Sequence, residues 1–257
     1  MSTLDVAGAT IHYEVSGKEG APWLVFSNSL GTNLEMWDAQ ARDFADSRRI
    51  LRYDQRGHGK SSAPQGDYTM DQLGGDVVAL LDELDIARAD FCGLSMGGMT
   101  GMWLGTHAGH RFDRLVLANT GAQMPPPELW DGRIRTVLEK GMEGVLDAVV
   151  ERWFTPEFRQ QATDEIEILS TSPVGYAGCS AAIRDMDQRE SIRAVTTPTL
   201  VIAGARDPAT PPAMADEIVA NIAGARLATL DAAHLSNIEK ADDFSRVLQA
   251  FLSETVK

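Results

Sequence analysis

The sequence is poor in cysteine and has no long apolar run. Two cysteines among 257 residues are too few for a disulfide framework, and unpaired thiols are typical of a cytoplasmic protein. Residues 1–10 lack a basic stretch followed by an apolar one, so we expect no signal peptide. Because no run approaches about 18 apolar residues, we also expect no membrane span. The sequence therefore predicts a cytoplasmic protein.

Positive charge is also scarce. The chain has 23 Lys and Arg against 37 Asp and Glu, which gives a formal net charge of −14 at pH 7. A nucleic-acid or anionic-membrane partner requires a basic surface, so this balance argues against both. The hydrophobic content of 44% and the length suit one large domain or a core with an insertion. We expect a small-molecule partner, and the sequence leaves a homo-oligomer open.

Motifs for metals and organic cofactors are missing too. No Cys/His cluster has zinc-binding spacing, and no Gly-x-Gly-x-x-Gly is present. The segment Gly59-Lys60-Ser61 matches the end of a phosphate-binding loop, but Asp54 stands where that loop requires its first glycine. We therefore predict neither a metal nor a cofactor, and a structural role for the neighbouring His58.

Strand-like and helix-like segments alternate in the first half of the chain. Continuous apolar runs are typical of strands covered on both faces, and residues 70–84 carry apolar side chains at helical spacing. This alternation predicts an α/β fold with a mostly parallel sheet flanked by helices. The predicted strands are residues 10–15, 23–26, 50–53, 91–94, 115–118, 199–203 and 226–230.

The pattern changes after residue 120, where a proline cluster precedes a mainly helical stretch. A buried strand then returns at 199–203. An α/β pattern interrupted in this way predicts one domain with an insertion rather than two sequential domains. We predict an α/β core at 1–121 and 196–257, with a helical cap inserted at 122–195.

The strongest motif is Gly93-Leu94-Ser95-Met96-Gly97, a Gly-x-Ser-x-Gly between a predicted strand and a predicted helix. A serine on so sharp a turn must adopt a strained backbone conformation. The turn points the Met96 N–H toward the place where an oxyanion would develop. We predict Ser95 as nucleophile, with Met96 and Leu30, in the loop after strand 23–26, as oxyanion donors. A glycine-rich packing turn would give the same pattern.

A serine nucleophile needs a general base, and hydrolases with this turn carry the acid and then the histidine further along the chain. His234 is the one histidine after the predicted cap, and it follows the last predicted strand. Asp207, in the loop after strand 199–203, is the predicted acid that fixes the imidazole tautomer. Asp231 is the alternative acid, whereas Asn119, at the end of another strand, cannot supply the charge.

Together these residues resemble the α/β-hydrolase superfamily over the whole chain, because they combine the turn at Ser95 with the order Ser95, Asp207, His234. Within the superfamily, the chain resembles the 3-oxoadipate enol-lactonases of aromatic catabolism. The resemblance implies an α/β-hydrolase fold and cofactor-free opening of the enol-lactone to 3-oxoadipate through a Ser-His-Asp triad and an acyl-enzyme. The segments that carry the closer resemblance are residues 28–32, 36–37, 130–134, 175–179 and 183–187.

The anionic lactone implied by this resemblance requires a cation in the cap. Residues 122–196 contain 8 basic and 13 acidic residues, so one or two arginines must create a local positive site. Arg133 is the first candidate, and Trp130, one helical turn earlier, would form a neighbouring wall. Arg184 is the second candidate. The alternative is a solvated Arg133 beside an aromatic residue of the cap core.

Two other functions stay open. A general carboxylesterase, or a cofactor-free perhydrolase, would use the same triad on another substrate. A ligand receptor on a hydrolase scaffold belongs to a different class, because it would keep the triad without useful turnover. Turnover number separates the receptor from the enzymes, since a receptor would show about one event per molecule.

Overall fold

The computed structural model describes residues 2–160 and 171–254. Within these residues eight strands form a single sheet. In chain order they are β1 (Ser2–Val6), β2 (Ala9–Gly17), β3 (Trp23–Ser27), β4 (Arg49–Tyr53), β5 (Ala89–Leu94), β6 (Phe112–Ala118), β7 (Thr199–Gly204) and β8 (Arg226–Leu230).

The order of the strands across the sheet is β1-β2-β4-β3-β5-β6-β7-β8. β1 and β2 pair antiparallel at one edge, and all pairs from β4 through β3 to β8 are parallel. Every residue of β5 and of β7 is buried, as their continuous apolar runs predicted. The predicted mostly parallel sheet is therefore confirmed.

Helices flank this sheet and separate most of its strands. α3 packs on β5 and β6 in the middle of the sheet, and α2 packs on α3. No helix in the described ranges is long and apolar enough to cross a membrane. The helices are α1 (Asp38–Phe44), α2 (Met70–Glu83), α3 (Met96–His107), α4 (Pro127–Lys140), α5 (Leu146–Trp153), α6 (Pro156–Arg159), α7 (Pro173–Asp185), α8 (Pro212–Asn221), α9 (Ser236–Glu239) and α10 (Ala241–Leu252).

Along the chain, helices α4 to α7 come after β6 and before β7, and these two strands are neighbours in the sheet. Both predicted cap boundaries fall in this part of the chain, after β6 and before β7. α4 packs against α7. A single bridge pairs Gln123 with Asp187, and the Gln188 N–H donates to the Ala122 carbonyl at 2.8 Å. These contacts close a narrow neck through which the chain leaves the core and returns to it.

The parallel strands bring distant parts of the sequence to one edge of the sheet. Ser95 follows β5 directly, Asp207 follows β7, and His234 follows β8. The loop that contains Leu30 follows β3, the other neighbour of β5. Because the carboxyl ends of parallel strands meet at one edge, these four residues lie on the side of the sheet where such folds bind ligands.

Candidate active site

Ser95 occupies a strained turn between β5 and α3. Its backbone angles are φ 57° and ψ −114°, a positive-φ conformation that costs a residue other than glycine about 1–3 kcal/mol. The Ser95 N–H donates to the Ala118 carbonyl at 2.9 Å, and the Thr120 hydroxyl donates to the Ser95 carbonyl at 2.8 Å. These bonds to the neighbouring strand hold the turn in its strained form.

The two glycines of the motif allow this turn to pack. A Cβ on Gly93 would lie 2.1 Å from the Gly97 carbonyl oxygen, and a Cβ on Gly97 would lie 2.1 Å from the Ser27 carbonyl oxygen. Both obstacles are backbone atoms, which cannot rotate away as a side chain can. The close approach of β5, α3 and the end of β3 therefore requires glycine at both positions.

Asp207 and His234 form a buried hydrogen-bonded pair. His234 Nδ1 lies 2.8 Å from Asp207 Oδ2, and both residues are almost fully buried. The Thr210 hydroxyl donates to the same oxygen at 2.6 Å, while Oδ1 accepts the N–H groups of Ala209 and Thr210 at 2.8 and 3.0 Å. Burial raises the pKa of Asp207, but the nearby His234 and these hydrogen bonds outweigh it and lower that pKa to about 2.

Asn119 ties this pair to the end of β6. Its Nδ2 donates to Asp207 Oδ2 at 2.9 Å and to the Ala233 carbonyl at 3.1 Å, and its Oδ1 accepts the Ser236 hydroxyl at 2.6 Å. The residue has a positive φ of 44°, a conformation that asparagine adopts more readily than most other residues. Asn119 therefore supports Asp207, the predicted acid, whereas Asp231, the alternative acid, is exposed and pairs with Arg206 at 3.0 Å.

Ser95 and His234 both line one cavity of about 590 Å³, beneath the cap. The Ser95 hydroxyl makes no hydrogen bond to any described residue, including His234. In enzymes without substrate the nucleophile and base commonly stand slightly apart and close up in the substrate complex. The structure thus brings the predicted nucleophile and base to the same cavity and holds the base by its acid.

The two predicted oxyanion donors, Leu30 and Met96, belong to different segments of the chain. Leu30 lines the cavity, and Met96 is the first residue of α3, where a helix N–H has no partner within the helix. Neither N–H has a hydrogen-bond acceptor among the described residues. The Gly97 N–H donates to the Asn28 carbonyl at 2.9 Å, so the loop after β3 is fastened directly to the start of α3.

A buried histidine supports the same loop. His58 Nε2 accepts the Gly31 N–H at 2.9 Å, and its Nδ1 lies 3.2 Å from the Arg56 carbonyl. Nε2 must therefore be unprotonated, with the ring proton on Nδ1 donated to Arg56. Burial lowers the pKa of His58 to about 4, which keeps the ring neutral. The sequence predicts a structural role for His58. Its hydrogen bond holds Gly31, the residue that follows Leu30.

The cap contributes two arginines to the cavity. Arg133 lies on α4 with its guanidinium 4.7 Å from the centre of the Trp130 ring, and both residues line the cavity. Arg152, on α5, lines it as well, and burial together with the charge of Arg133 lowers its pKa. Neither arginine forms an ion pair within residues 2–160 and 171–254. The charge of each arginine acts on the other, and an anion bound in this cavity would relieve that repulsion.

Arg184, the second cation predicted from the sequence, lies outside this cavity. Its guanidinium binds the carboxylates of Asp67, Asp131 and Asp185 at 2.7–3.1 Å. Its charge is therefore already compensated, and it is not available to a ligand beside Ser95.

Comparisons with known proteins agree with this geometry. The family model described as alpha/beta hydrolase fold matches residues 22–165. The chain belongs to the α/β-hydrolase family. It is 41% identical to 3-oxoadipate enol-lactonase 2 of Acinetobacter baylyi over 97% of this chain and 96% of that one. It is 36% identical to 3-oxoadipate enol-lactonase 1 of the same organism, over 95% and 94%.

Solved structures of α/β-hydrolases superpose closely on this one. The enol-lactonase from Burkholderia xenovorans aligns with a TM-score of 0.95 at 43% identity, covering 98% of this chain and 100% of that one. A hydrolase from Pseudomonas aeruginosa aligns with a TM-score of 0.95 at 45% identity, covering 98% of both. The predicted fold class and family resemblance are thereby confirmed.

Sequence reasoning about this α/β-hydrolase missed Arg152 in the cavity wall and the supporting contacts of Asn119. Arg152 stands in an ordinary amphipathic helix, and nothing in the local pattern distinguishes it from a solvated charge. Asn119 did carry a signal, because it follows a parallel strand whose end lies at the edge of the sheet where the acid and base meet.

Proposed function

We propose that this chain is a serine hydrolase that opens the lactone ring of 3-oxoadipate enol-lactone to give 3-oxoadipate, in the β-ketoadipate pathway of aromatic catabolism. One observation carries the proposal: Ser95 and His234 line the same cavity as Arg133 and Arg152. A nucleophile and a base in one cavity with two cations fit an ester that carries a carboxylate. The names of the two relatives with 41% and 36% identity support the same substrate.

In the proposed first half-reaction, His234 Nε2 takes the proton of Ser95 as the hydroxyl attacks the lactone carbonyl. The N–H groups of Leu30 and Met96 stabilise the oxyanion that forms. The ring oxygen then leaves as an enolate. The proton held by His234 passes through solvent to the enolate carbon, which gives the ketone and leaves His234 neutral for the second half-reaction. Asp207, with its pKa lowered to about 2, stays ionised and stabilises the imidazolium.

In the second half-reaction, water hydrolyses the acyl-enzyme. His234 accepts a proton from the water as it attacks the ester carbonyl, and the same two N–H groups stabilise the second oxyanion. The proton then returns to Ser95 Oγ, which restores the free enzyme. Water is the only co-reactant in this scheme.

The substrate carboxylate is assigned to Arg133 and Arg152, with Trp130 as the wall that orients Arg133. The cation–π contact of 4.7 Å holds the Arg133 guanidinium against the Trp130 ring, and both residues line the cavity. We also place the enzyme in the cytoplasm, where its two thiols, both free and buried, would stay reduced.

The test is to measure kcat/KM for the enol-lactone and for a neutral p-nitrophenyl ester in Arg133→Gln and Arg152→Gln. A hydrogen bond to a charged group contributes about 1.5–3 kcal/mol, so we expect each change to lower kcat/KM for the lactone about 10- to 100-fold. Activity on the neutral ester should change by less than about threefold. Arg135→Gln is the matched control, because Arg135 lies on the same helix but is exposed and outside the cavity.

Each other outcome selects another function. Equal losses on both substrates would show that these arginines do not bind the substrate carboxylate, and they would favour a general carboxylesterase. A single turnover per molecule would favour a ligand receptor. Full activity in Ser95→Ala would refute the proposed mechanism itself.

A further inference from the structure

His234 is held through its two flanking peptide groups as well as through its ring. The Leu235 N–H donates to the Trp153 carbonyl at 2.9 Å. The Ala233 N–H donates to Glu239 Oε2, also at 2.9 Å. The residues immediately before and after His234 are therefore both fixed by groups outside their own loop.

Glu239 extends this attachment to the cap. The Thr155 N–H donates to Glu239 Oε2 at 3.3 Å, and the Thr155 hydroxyl donates to Oε1. Thr155 is two residues from Trp153, so one short cap segment, Trp153–Thr155, holds both sides of His234. This segment directly follows Arg152, which lines the cavity. The base and the cationic wall thus share one anchored stretch of backbone.

The surroundings of Glu239 explain why a carboxylate occupies this position. The residue is only 8% exposed, and it forms no ion pair with a basic side chain in the described ranges. Its oxygens instead accept three hydrogen bonds, two of them from backbone N–H groups. A buried carboxylate is costly unless its donors are in place, and without it the Ala233 and Thr155 N–H groups would be left buried and unpaired.

We propose that Glu239 is a positioning residue for the reaction, because it fixes the backbone of His234 to the cap and so keeps the imidazole within reach of Ser95. The proposal rests on the proposed function, since it takes Ser95 and His234 as nucleophile and base. The alternative is that Glu239 contributes only to the stability of the fold. A positioning role predicts that Ser95 reacts more slowly when Glu239 is changed in a protein that is still folded. A purely structural role predicts that its reactivity is unchanged.

Three substitutions of Glu239 separate hydrogen bonding from charge and volume. Glu239→Met keeps the length but removes both acceptors. Glu239→Asp keeps the carboxylate but shortens the side chain by one methylene. Glu239→Gln removes the charge but keeps an oxygen for the two backbone N–H groups, while its amide group can donate to the Thr155 hydroxyl. A positioning role predicts that Met is the most harmful change, Asp is intermediate, and Gln restores the wild-type behaviour.

The readout is the rate at which diethyl p-nitrophenyl phosphate phosphorylates Ser95, followed by p-nitrophenolate release, with the modified peptide identified by mass spectrometry. This neutral reagent needs the nucleophile and base but not the cap arginines. Because small displacements of a catalytic group cost up to about 100-fold, we expect a loss of about tenfold or more in Glu239→Met and about threefold in Glu239→Asp. Glu239→Gln should react within about twofold of wild type.

Asp90→Asn is the matched control. Asp90 is also a buried carboxylate, but it binds Arg48 and Arg114 at the start of β5, the end of the strand opposite to Ser95. We expect this variant to lower the melting temperature while Ser95 reacts at the wild-type rate. If Glu239→Met does not fold, the comparison of Asp with Gln at position 239 decides the question.

Several results would overturn the proposal. Wild-type rates in both Glu239→Met and Glu239→Asp would leave Glu239 a structural role only, as would an equal slowing in Asp90→Asn. A Gln variant as slow as the Met variant would show that charge, rather than hydrogen bonding, matters. Failure of the wild-type protein to be modified at Ser95 would refute the proposed nucleophile, and the role of Glu239 with it.

Discussion

Acid should destabilise this protein through a residue that takes no part in its chemistry. His58 is buried and neutral, with Nε2 accepting the Gly31 N–H. Its ordinary pKa is 6.5, and burial lowers the value to about 4 in the folded protein. In the unfolded chain the ring is exposed and binds a proton at its ordinary pKa. Lowering the pH therefore favours the unfolded chain.

The size and direction of the effect follow from these two values. Well above pH 6.5 neither state is protonated at His58, so this residue takes nothing from the free energy of unfolding. Between pH 6.5 and 4 the unfolded chain binds a proton that the folded protein excludes, so the free energy of unfolding falls as the pH falls. At about 1.4 kcal/mol for each unit of difference, the total loss is about 3 kcal/mol. Asp207, with its pKa lowered to about 2, loses its contribution only at lower pH, as the pH falls from 3.8 toward 2.

The assay is urea unfolding of wild type and His58→Gln at several pH values between 7.5 and 4.5. Glutamine can accept the Gly31 N–H through its amide oxygen, but it does not titrate. Between these limits, we expect wild type to lose about 2–3 kcal/mol more than His58→Gln, whatever the stability of the variant at neutral pH. Other titrating groups contribute equally to both proteins and cancel. Parallel curves, within about 0.5 kcal/mol, would show that His58 is not held neutral by burial.

Two further predictions concern the turn and the acid. Gly97→Ala should lower the free energy of unfolding by about 1–3 kcal/mol, because its Cβ would meet the Ser27 carbonyl at 2.1 Å. Gly75→Ala is the control in urea unfolding: it lies in α2 with open space around it and should raise stability by about 0.5–1 kcal/mol, and equal effects would contradict the packing argument. Asp207→Asn should lower kcat about 10³- to 10⁴-fold while the fold persists by circular dichroism, because an amide beside His234 Nδ1 favours the wrong tautomer. A kcat within tenfold of wild type would exclude Asp207 as the acid.

The sheet could be predicted from the sequence wherever burial leaves a compositional trace. β5 and β7 are covered on both faces and therefore consist of continuous apolar runs. β1 left no such trace, because it is an edge strand in which no residue is fully buried. The same reasoning explains α2, whose apolar stripe and capping box at Thr69 and Gln72 mark a helix with one buried face.

In the candidate site, the main residues could be predicted from the sequence, but the residues that support them could not. Ser95, Asp207 and His234 could be located because each follows a strand, so that their order along the chain reflects the geometry of the sheet. Supporting contacts have no such rule. Thr155 and Glu239 are 84 residues apart and meet only after the cap has packed on the loop of His234. Arg152 likewise could not be predicted as a site residue, because the sequence does not reveal which residues line the cavity.

The two ends of the cap already meet at Gln123 and Asp187. The cap could therefore be replaced as a unit. Exchange of caps between relatives should therefore leave the core strands in register. The contacts of Trp153 and Thr155 with Leu235 and Glu239 limit which caps can be exchanged. A transplanted cap that places no carbonyl where that of Trp153 lies, and no partner for Glu239, would give a chimera in which Ser95, Asp207 and His234 are all present but His234 is poorly held. Caps and cores in such folds would then have to change together, even where no residue of the cap takes part in bond breaking.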